Sequence, residues 1–173
     1  IPVSRPDPNT VMKSIVIRGP LGVGKSTVAR AVADSISGIY ISVDQVLEEH
    51  KLDKASDGEG IPLENFLMTN QLLLKETEQA RAEGKPLVID GNFYHKEQVD
   101  QLVELLGGDV AVFTLKASVE TCLARDTDRE KSYGEDATRI VHMFVSRFDF
   151  GTIVDTNDQT VDETVQSILK SMK

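Results

Sequence analysis

The sequence Ile-Val-Ile-Arg-Gly-Pro-Leu-Gly-Val-Gly-Lys-Ser-Thr at residues 15–27 joins a short apolar run, a glycine-rich turn and the start of a helix. Gly19, Gly24, Lys25 and Ser26 in it fill the spacing G-x-x-x-x-G-K-[ST], the pattern of a loop that binds phosphate. Because glycine lacks a Cβ, such a loop can take positive φ and aim successive N–H groups at one anion. The stretch therefore predicts a site for the phosphates of a nucleoside triphosphate.

Different residues of this loop are expected to bind different parts of the nucleotide and its metal ion. We expect Lys25 to reach the β- and γ-phosphates and the Ser26 hydroxyl to ligate Mg²⁺. The N-terminus of the helix that begins here adds positive potential. The residues predicted to contact the nucleotide in this stretch are Gly19, Leu21, Gly22, Val23, Gly24, Lys25, Ser26 and Thr27.

Composition sets broad limits on the function. The chain has 173 residues with a net charge of −9, which favours one domain and argues against a large nucleic-acid surface without excluding a local one. Cys122 is the only cysteine, so an intramolecular disulfide is excluded and a reducing compartment is allowed. No apolar run approaches the roughly 20 residues needed to cross a bilayer. The sequence predicts a soluble, cytoplasmic protein without a membrane partner.

The first eleven residues differ from the rest of the chain. Residues 1–11 contain three prolines and show no usable periodicity, and Met12 stands directly before the first apolar run. We expect residues 1–11 to be a flexible extension or an expression remnant, and residues 12–173 to form a single domain.

Apolar runs alternate with helical patterns along the whole chain. This alternation predicts an α/β fold with a parallel sheet and helices on both faces. Ligands of such sheets bind at the carboxyl ends of the strands. After the first strand, the predicted strands are 39–43, 87–90, 110–115 and 152–155, and the predicted helices are 25–36, 45–51, 63–83, 96–106, 118–125, 137–148 and a last one opened by a capping box at Thr160–Glu163.

Two aspartates end neighbouring predicted strands. Asp44 closes the second strand, where its carboxylate can align and deprotonate an attacking hydroxyl; alternatively it caps the helix 45–51. Asp90 closes the third strand before Gly91 and can hold Mg²⁺ opposite Ser26, directly or through water; alternatively it only forms an Asp-Gly turn.

Two arginines end the helix predicted at 118–125. Arg125 and Arg129 are four residues apart, so they can cover a nucleotide base and clamp the γ-phosphate. The alternative is a solvated helix end in which they pair with Asp126 and Asp128.

Aromatic and imidazole side chains give weaker signals. Phe93 and Tyr94 follow the third strand closely enough to line an acceptor pocket, or they belong to the core. His50, His95 and His142 lack the spacing of metal ligands, which favours structural or solvent-facing roles.

Together these residues resemble a P-loop kinase. The loop from Gly19 to Thr27, Asp44, Asp90 and the Arg125/Arg129 segment occur in an order similar to the adenylate-kinase-like branch, and within it to the group of polynucleotide kinases, seryl-tRNA kinases, zeta toxins and chloramphenicol phosphotransferase. The resemblance implies a three-layer P-loop NTPase fold with a five-stranded parallel sheet of order 2-3-1-4-5. It also implies ATP and Mg²⁺ as cosubstrates, Asp44, Lys25 and Arg129 as catalytic residues, and a mobile lid near 126–136.

One departure from related families narrows the range of possible phosphate acceptors. Between residues 40 and 110 the only arginine is Arg81, so an acceptor phosphate would lack its usual bidentate partners. We therefore expect a small, uncharged or cationic alcohol as acceptor. The alternatives are a polynucleotide 5′-hydroxyl or nucleotide kinase, a chain that binds ATP without catalysis, and a nucleotide-dependent switch, for which Asp57–Gly60 supplies a D-x-x-G match without a preceding strand.

Overall fold

Five parallel strands form a single sheet in the order β2-β3-β1-β4-β5, as predicted. The computed structural model describes residues 13–56 and 59–172, so the predictions for residues 1–11 and Met12 and the Asp57–Gly58 part of the D-x-x-G match lie outside the described residues. The strands are β1 Lys13–Arg18, β2 Ile39–Ser42, β3 Leu87–Gly91, β4 Asp109–Lys116 and β5 Thr152–Asp155.

The helices pack against both faces of this sheet. Ile15 and Ile17 of the central strand β1 belong to one apolar cluster and Val16 to the other, because successive side chains of a strand point to opposite faces. The helices are α1 Lys25–Ser35, α2 Val43–Glu49, α3 Leu63–Leu72, α4 Leu74–Glu83, α5 Lys96–Leu106, α6 Val119–Thr127, α7 Glu135–Val145 and α8 Val161–Ser171. In the described part of the chain, no helix has the length and apolar character needed to cross a membrane.

The prediction of one continuous helix over 63–83 is wrong. This segment divides at Leu73 into α3 and α4. The Leu73 carbonyl accepts hydrogen bonds from both the backbone N–H and the hydroxyl of Thr77, each at 3.0 Å. Threonine back-bonding of this kind is known to bend helices, and apolar periodicity does not reveal it.

Arg18, the last residue of β1, is fully buried and joins three parts of the fold. Its guanidinium donates to the Phe93 carbonyl after β3, to the Thr114 hydroxyl of β4, and to the Val145 and Phe148 carbonyls at the end of α7, over distances of 2.9 to 3.3 Å. Burial lowers the pKa of Arg18 to about 10, an effect that nearby Asp149 opposes. The residue therefore fixes the start of the phosphate loop to α7.

We expect replacement of Arg18 by methionine to lower the free energy of unfolding by about 3–5 kcal/mol, because the buried acceptors would lose a charged donor. Urea denaturation measures this loss, with exposed Arg81→Met as the matched control. An Arg18→Met midpoint equal to that of the control would contradict this structural role.

Candidate active site

The glycine-rich turn takes the backbone shape that its sequence predicts. Gly22 and Gly24 have φ angles of 80° and 94°, and Gly24 precedes the first residue of α1. A Cβ on Gly22 would lie 2.3 Å from the carbonyl oxygen of Cys122, so only glycine fits between this turn and α6. The close packing holds the phosphate loop against the helix that carries Arg125.

The side chains of the loop divide into buried and accessible groups. Gly19, Leu21 and Val23 are buried, so they can contact a phosphate only through the backbone. Lys25 is also buried, and its Nζ lies 3.5 Å from the Pro20 carbonyl, across the loop. Ser26 and Thr27 are exposed at the start of α1.

A cavity of about 610 Å³ opens in front of this loop. It brings together eight of the residues predicted for the site, which are Gly22, Gly24, Lys25, Ser26, Thr27, Asp44, Arg125 and Arg129. Four predicted residues do not line it, namely Gly19, Leu21, Val23 and Asp90. The other residues lining it are Arg30, Tyr40, Ser42, Gln45, Glu48, Tyr133 and Val161.

Asp44 reaches this cavity from a helix and not from a strand end. Strand β2 ends at Ser42, whose side chain accepts the backbone N–H of Gln45 at 3.2 Å and thereby caps α2. The prediction that Asp44 closes strand 2 is therefore wrong by two residues, and the alternative that it is the helix cap is also wrong. The half-buried carboxylate of Asp44 does not cap the helix, and it lines the cavity.

Asp90 lies in β3 and is completely buried, next to Tyr40, which lines the cavity. Its Oδ2 accepts a hydrogen bond of 2.6 Å from the Tyr40 hydroxyl, whereas Oδ1 has no partner. Burial raises the pKa of Asp90 and the negative charge of Asp44 raises it further, while Lys25 and the Tyr40 hydrogen bond lower it. Burial also raises the pKa of Tyr40 to about 12, with a further contribution from Asp90.

Ser26 and Asp90 fit a magnesium site. The unpartnered Oδ1 of Asp90 is a buried carboxylate oxygen that needs a ligand, and the Ser26 hydroxyl is close enough to lower the pKa of this carboxyl. Among residues 13–56 and 59–172, no group of three or more His, Cys, Asp or Glu residues could hold a metal by itself. Phosphate oxygens would have to complete the coordination, as Mg²⁺ sites commonly require. When bound, Mg²⁺ neutralises charge on the phosphates.

Arg125 is anchored on two sides. It donates to the Val23 carbonyl of the phosphate loop at 3.2 Å, and to the hydroxyl and carbonyl of Thr156, just after β5, at 2.9 and 2.6 Å. Its guanidinium therefore fixes the wall of the cavity between the loop and β5. The alternative pairing of Arg125 with Asp126 is not observed.

Arg129 lies in the segment that joins α6 to α7. Its guanidinium carbon lies 4.6 Å from the centre of the Tyr133 ring, a cation–π contact at the cavity wall. Buried Asp126 closes this segment, because its two oxygens accept the N–H groups of Tyr133 and Gly134, each at 3.0 Å. Asp126 therefore shapes the predicted lid and does not neutralise an arginine.

Phe93 and Tyr94 belong to the core, which is one of the two alternatives that the sequence left open. Both side chains are buried, and the Phe66 ring packs edge-on against Tyr94 with 5.1 Å between ring centres. The Tyr94 hydroxyl accepts the Ile61 N–H at 2.6 Å, and His95 Nε2 lies 3.1 Å from the Ile61 carbonyl. These residues hold the segment before α3.

Sequence reasoning missed several residues that line the cavity. Arg30 lies one helical turn after Ser26, and that spacing could have placed it on the same face of α1. Its guanidinium carbon lies 5.2 Å from the centre of the Tyr40 ring. The other missed residues, which no motif marks, are Tyr40, Ser42, Gln45, Glu48, Tyr133 and Val161.

Solved structures with the same fold include several kinases. A gluconokinase from Sinorhizobium meliloti 1021 has a TM-score of 0.74 at 20% identity, with 95% of this chain and 93% of that chain covered. A sugar kinase from Janibacter sp. HTCC2649 has a TM-score of 0.75 at 17% identity, with 93% of this chain and 94% of that chain covered. The APS kinase of Mycobacterium tuberculosis has a TM-score of 0.68 at 14% identity, with 94% of this chain and 98% of that chain covered. At these identities the likeness concerns the fold.

The family assignment comes from the sequence. No curated protein sequence matches the chain. The model of the family described as "AAA domain" matches residues 15–147, which include the phosphate loop, Asp44, Asp90, Arg125 and Arg129. The chain therefore belongs to this AAA domain family and has a P-loop fold shared with kinases.

Proposed function

We propose that the protein is an ATP- and Mg²⁺-dependent kinase that phosphorylates a hydroxyl of a small, uncharged or cationic acceptor. The observation that carries this proposal is the shared cavity, in which the Asp44 carboxylate and the P-loop residues Lys25 and Ser26 line one space. The kinase names of the structural neighbours support the same class of reaction.

Asp44 would act on the acceptor side. The acceptor oxygen attacks the γ-phosphorus, the bond from that phosphorus to the bridging oxygen breaks, and ADP leaves. The proton of the hydroxyl passes to the Asp44 carboxylate. Because phosphoryl transfer has a loose transition state, alignment of the hydroxyl contributes as much as its deprotonation.

Lys25, Arg125 and Arg129 would act on the phosphate side. Lys25 is positioned to stabilise charge on the transferred group, as fixed cations do in phosphoryl transfer. Arg129 lies in the lid predicted near 126–136, which we expect to close over the phosphates. Arg125, already tied to Val23 and Thr156, would cover the nucleotide base from a fixed position.

The wall of the cavity around Asp44 supports a neutral or cationic acceptor. Ser42, Gln45 and Glu48 line it, so hydroxyl, amide and carboxylate groups face the space. Arg30 also lies there, but its guanidinium sits over the Tyr40 ring. A dianionic acceptor would therefore meet two carboxylates, from Asp44 and Glu48, and a single cation on this side.

An acceptor screen with ATP tests the proposed function. We expect ATP consumption with one class among nucleosides, sugars, polyols, amino alcohols and antibiotics, with one ADP formed per phosphorylated product. Oligonucleotides and nucleoside monophosphates complete the panel, and Lys25→Met protein measures contaminating activity. Saturable turnover of a nucleoside monophosphate would contradict the acceptor class, and ATP binding without consumption across the panel would contradict catalysis.

A further inference from the structure

The Tyr40 hydroxyl donates a hydrogen bond to the Asp90 carboxylate, and the Ser26 hydroxyl lies near the same carboxylate. The bond to Oδ2 measures 2.6 Å, within the short range of an O–H group that donates to a carboxylate. Oδ1 of the same carboxylate is buried and has no partner. One oxygen is therefore held by tyrosine, and the other remains available for a ligand.

Tyr40 is itself fixed in place. Its backbone pairs with Val88 in the ladder between β2 and β3, so the ring extends from the strand next to Asp90. The Arg30 guanidinium lies over the ring at 5.2 Å, and the ring lines the cavity beside Ser26. The tyrosine is thus held by its strand and its ring, and it can restrict rotation of the Asp90 side chain.

We propose that Tyr40 is a positioning residue for the magnesium site: it holds Oδ2 of Asp90 so that Oδ1 faces the metal or a metal-bound water. This inference rests on the proposed function, since it assumes that nucleotide binds with Mg²⁺ beside Ser26. Groups that hydrogen-bond a ligating carboxylate typically change metal affinity 10–100-fold when they are removed. Tyr40 would therefore set the affinity for metal without touching it.

The test measures metal binding directly and requires no turnover. Mn²⁺ is titrated into protein saturated with a non-hydrolysable ATP analogue, and free Mn²⁺ is followed by electron paramagnetic resonance. We expect Tyr40→Phe to raise the Mn²⁺ dissociation constant by about 10-fold or more. Its affinity for the analogue without metal should stay unchanged, since the ring remains beneath Arg30.

Two further variants separate positioning from general damage. Tyr94→Phe removes another buried tyrosine hydroxyl that does not contact Asp90, and it should bind Mn²⁺ as the wild type does. In a double-mutant cycle, adding Tyr40→Phe to Asp90→Asn should cause little further loss, because Tyr40 acts through that carboxylate. Each variant is compared with the wild type by thermal denaturation.

The outcomes distinguish this inference from the proposed function. Wild-type Mn²⁺ affinity in Tyr40→Phe, or full additivity of the two substitutions, would overturn the inference even if the protein proves to be a kinase. If Mn²⁺ affinity falls as expected while no acceptor is phosphorylated, the positioning role stands and the proposed function fails.

Discussion

Lys25→Met should lower turnover with every acceptor by about 10²–10³-fold or more, the usual consequence of losing one fixed group that stabilises transition-state charge. Lys25 is expected to approach the γ-phosphate, and no other lysine lines the described cavity. The loss should appear in kcat, since Arg125, Arg129 and the loop N–H groups remain to hold the nucleotide. Steady-state kinetics with ATP and the acceptor found in the screen measure it.

The controls for Lys25→Met separate charge from folding. Lys75→Met removes an exposed lysine of α4 that does not line the cavity, and it should behave as wild type. Lys25→Arg keeps the charge in a larger group and should recover only part of the rate. Retention of more than about a tenth of the wild-type kcat by correctly folded Lys25→Met would show that the lysine does not stabilise the transferred phosphate.

The phosphate loop and the individual strands could be predicted because they depend on local rules, whereas the order of the strands was implied by the resemblance to P-loop kinases. Glycine spacing prescribes the positive φ angles at Gly22 and Gly24, and buried parallel strands require continuous apolar runs. Short-range rules also explain the capping box of α8, in which the Thr160 side chain accepts the Glu163 N–H at 3.2 Å. The individual elements therefore follow from patterns within about ten residues, and the order of the strands does not.

The contacts that complete the site could not be predicted in this way, because no local pattern marks the hydrogen-bond partner of each side chain. Tyr40 reads as an ordinary strand residue until β2 pairs with β3 and brings Asp90 to its hydroxyl. Asp126 looks like a partner for a neighbouring arginine, but its carboxylate satisfies two backbone N–H groups instead. In both cases the hydrogen-bond partner of the side chain could be identified only from the fold.

The position of Arg18 in the sequence contains information about its surroundings in the fold. A charged residue at the end of an apolar strand is costly to bury, so its presence indicates a set of acceptors around it. The acceptors belong to three separate segments, at Phe93, Thr114 and the residues 145–148, and the sequence gives no means of pairing them. A buried charge can thus be noticed from sequence, while its partners require the fold.

Asp44→Asn should lower kcat by about 10²–10⁴-fold, the range for loss of a general base. The amide keeps the size of the side chain but cannot accept the hydroxyl proton. Because Ser42 caps α2, this substitution leaves the cap intact. The effect therefore tests chemistry at the cavity, measured as kcat with the phosphorylated acceptor under saturating Mg-ATP.

Stability measurements make the Asp44 result decisive. Burial raises the pKa of Asp90 and Asp44 raises it further, so removing the Asp44 charge should ease ionisation of Asp90. Asp44 also lies in the first turn of α2, where loss of its negative charge should change the free energy of unfolding by no more than about 1 kcal/mol. Asp34→Asn, at an exposed position of α1 outside the cavity, is the matched control and should retain wild-type kcat. A low kcat with no larger change in the free energy of unfolding would identify Asp44 as the acceptor-side base. Near-full activity of Asp44→Asn would remove that role, because another group would then have to take the proton.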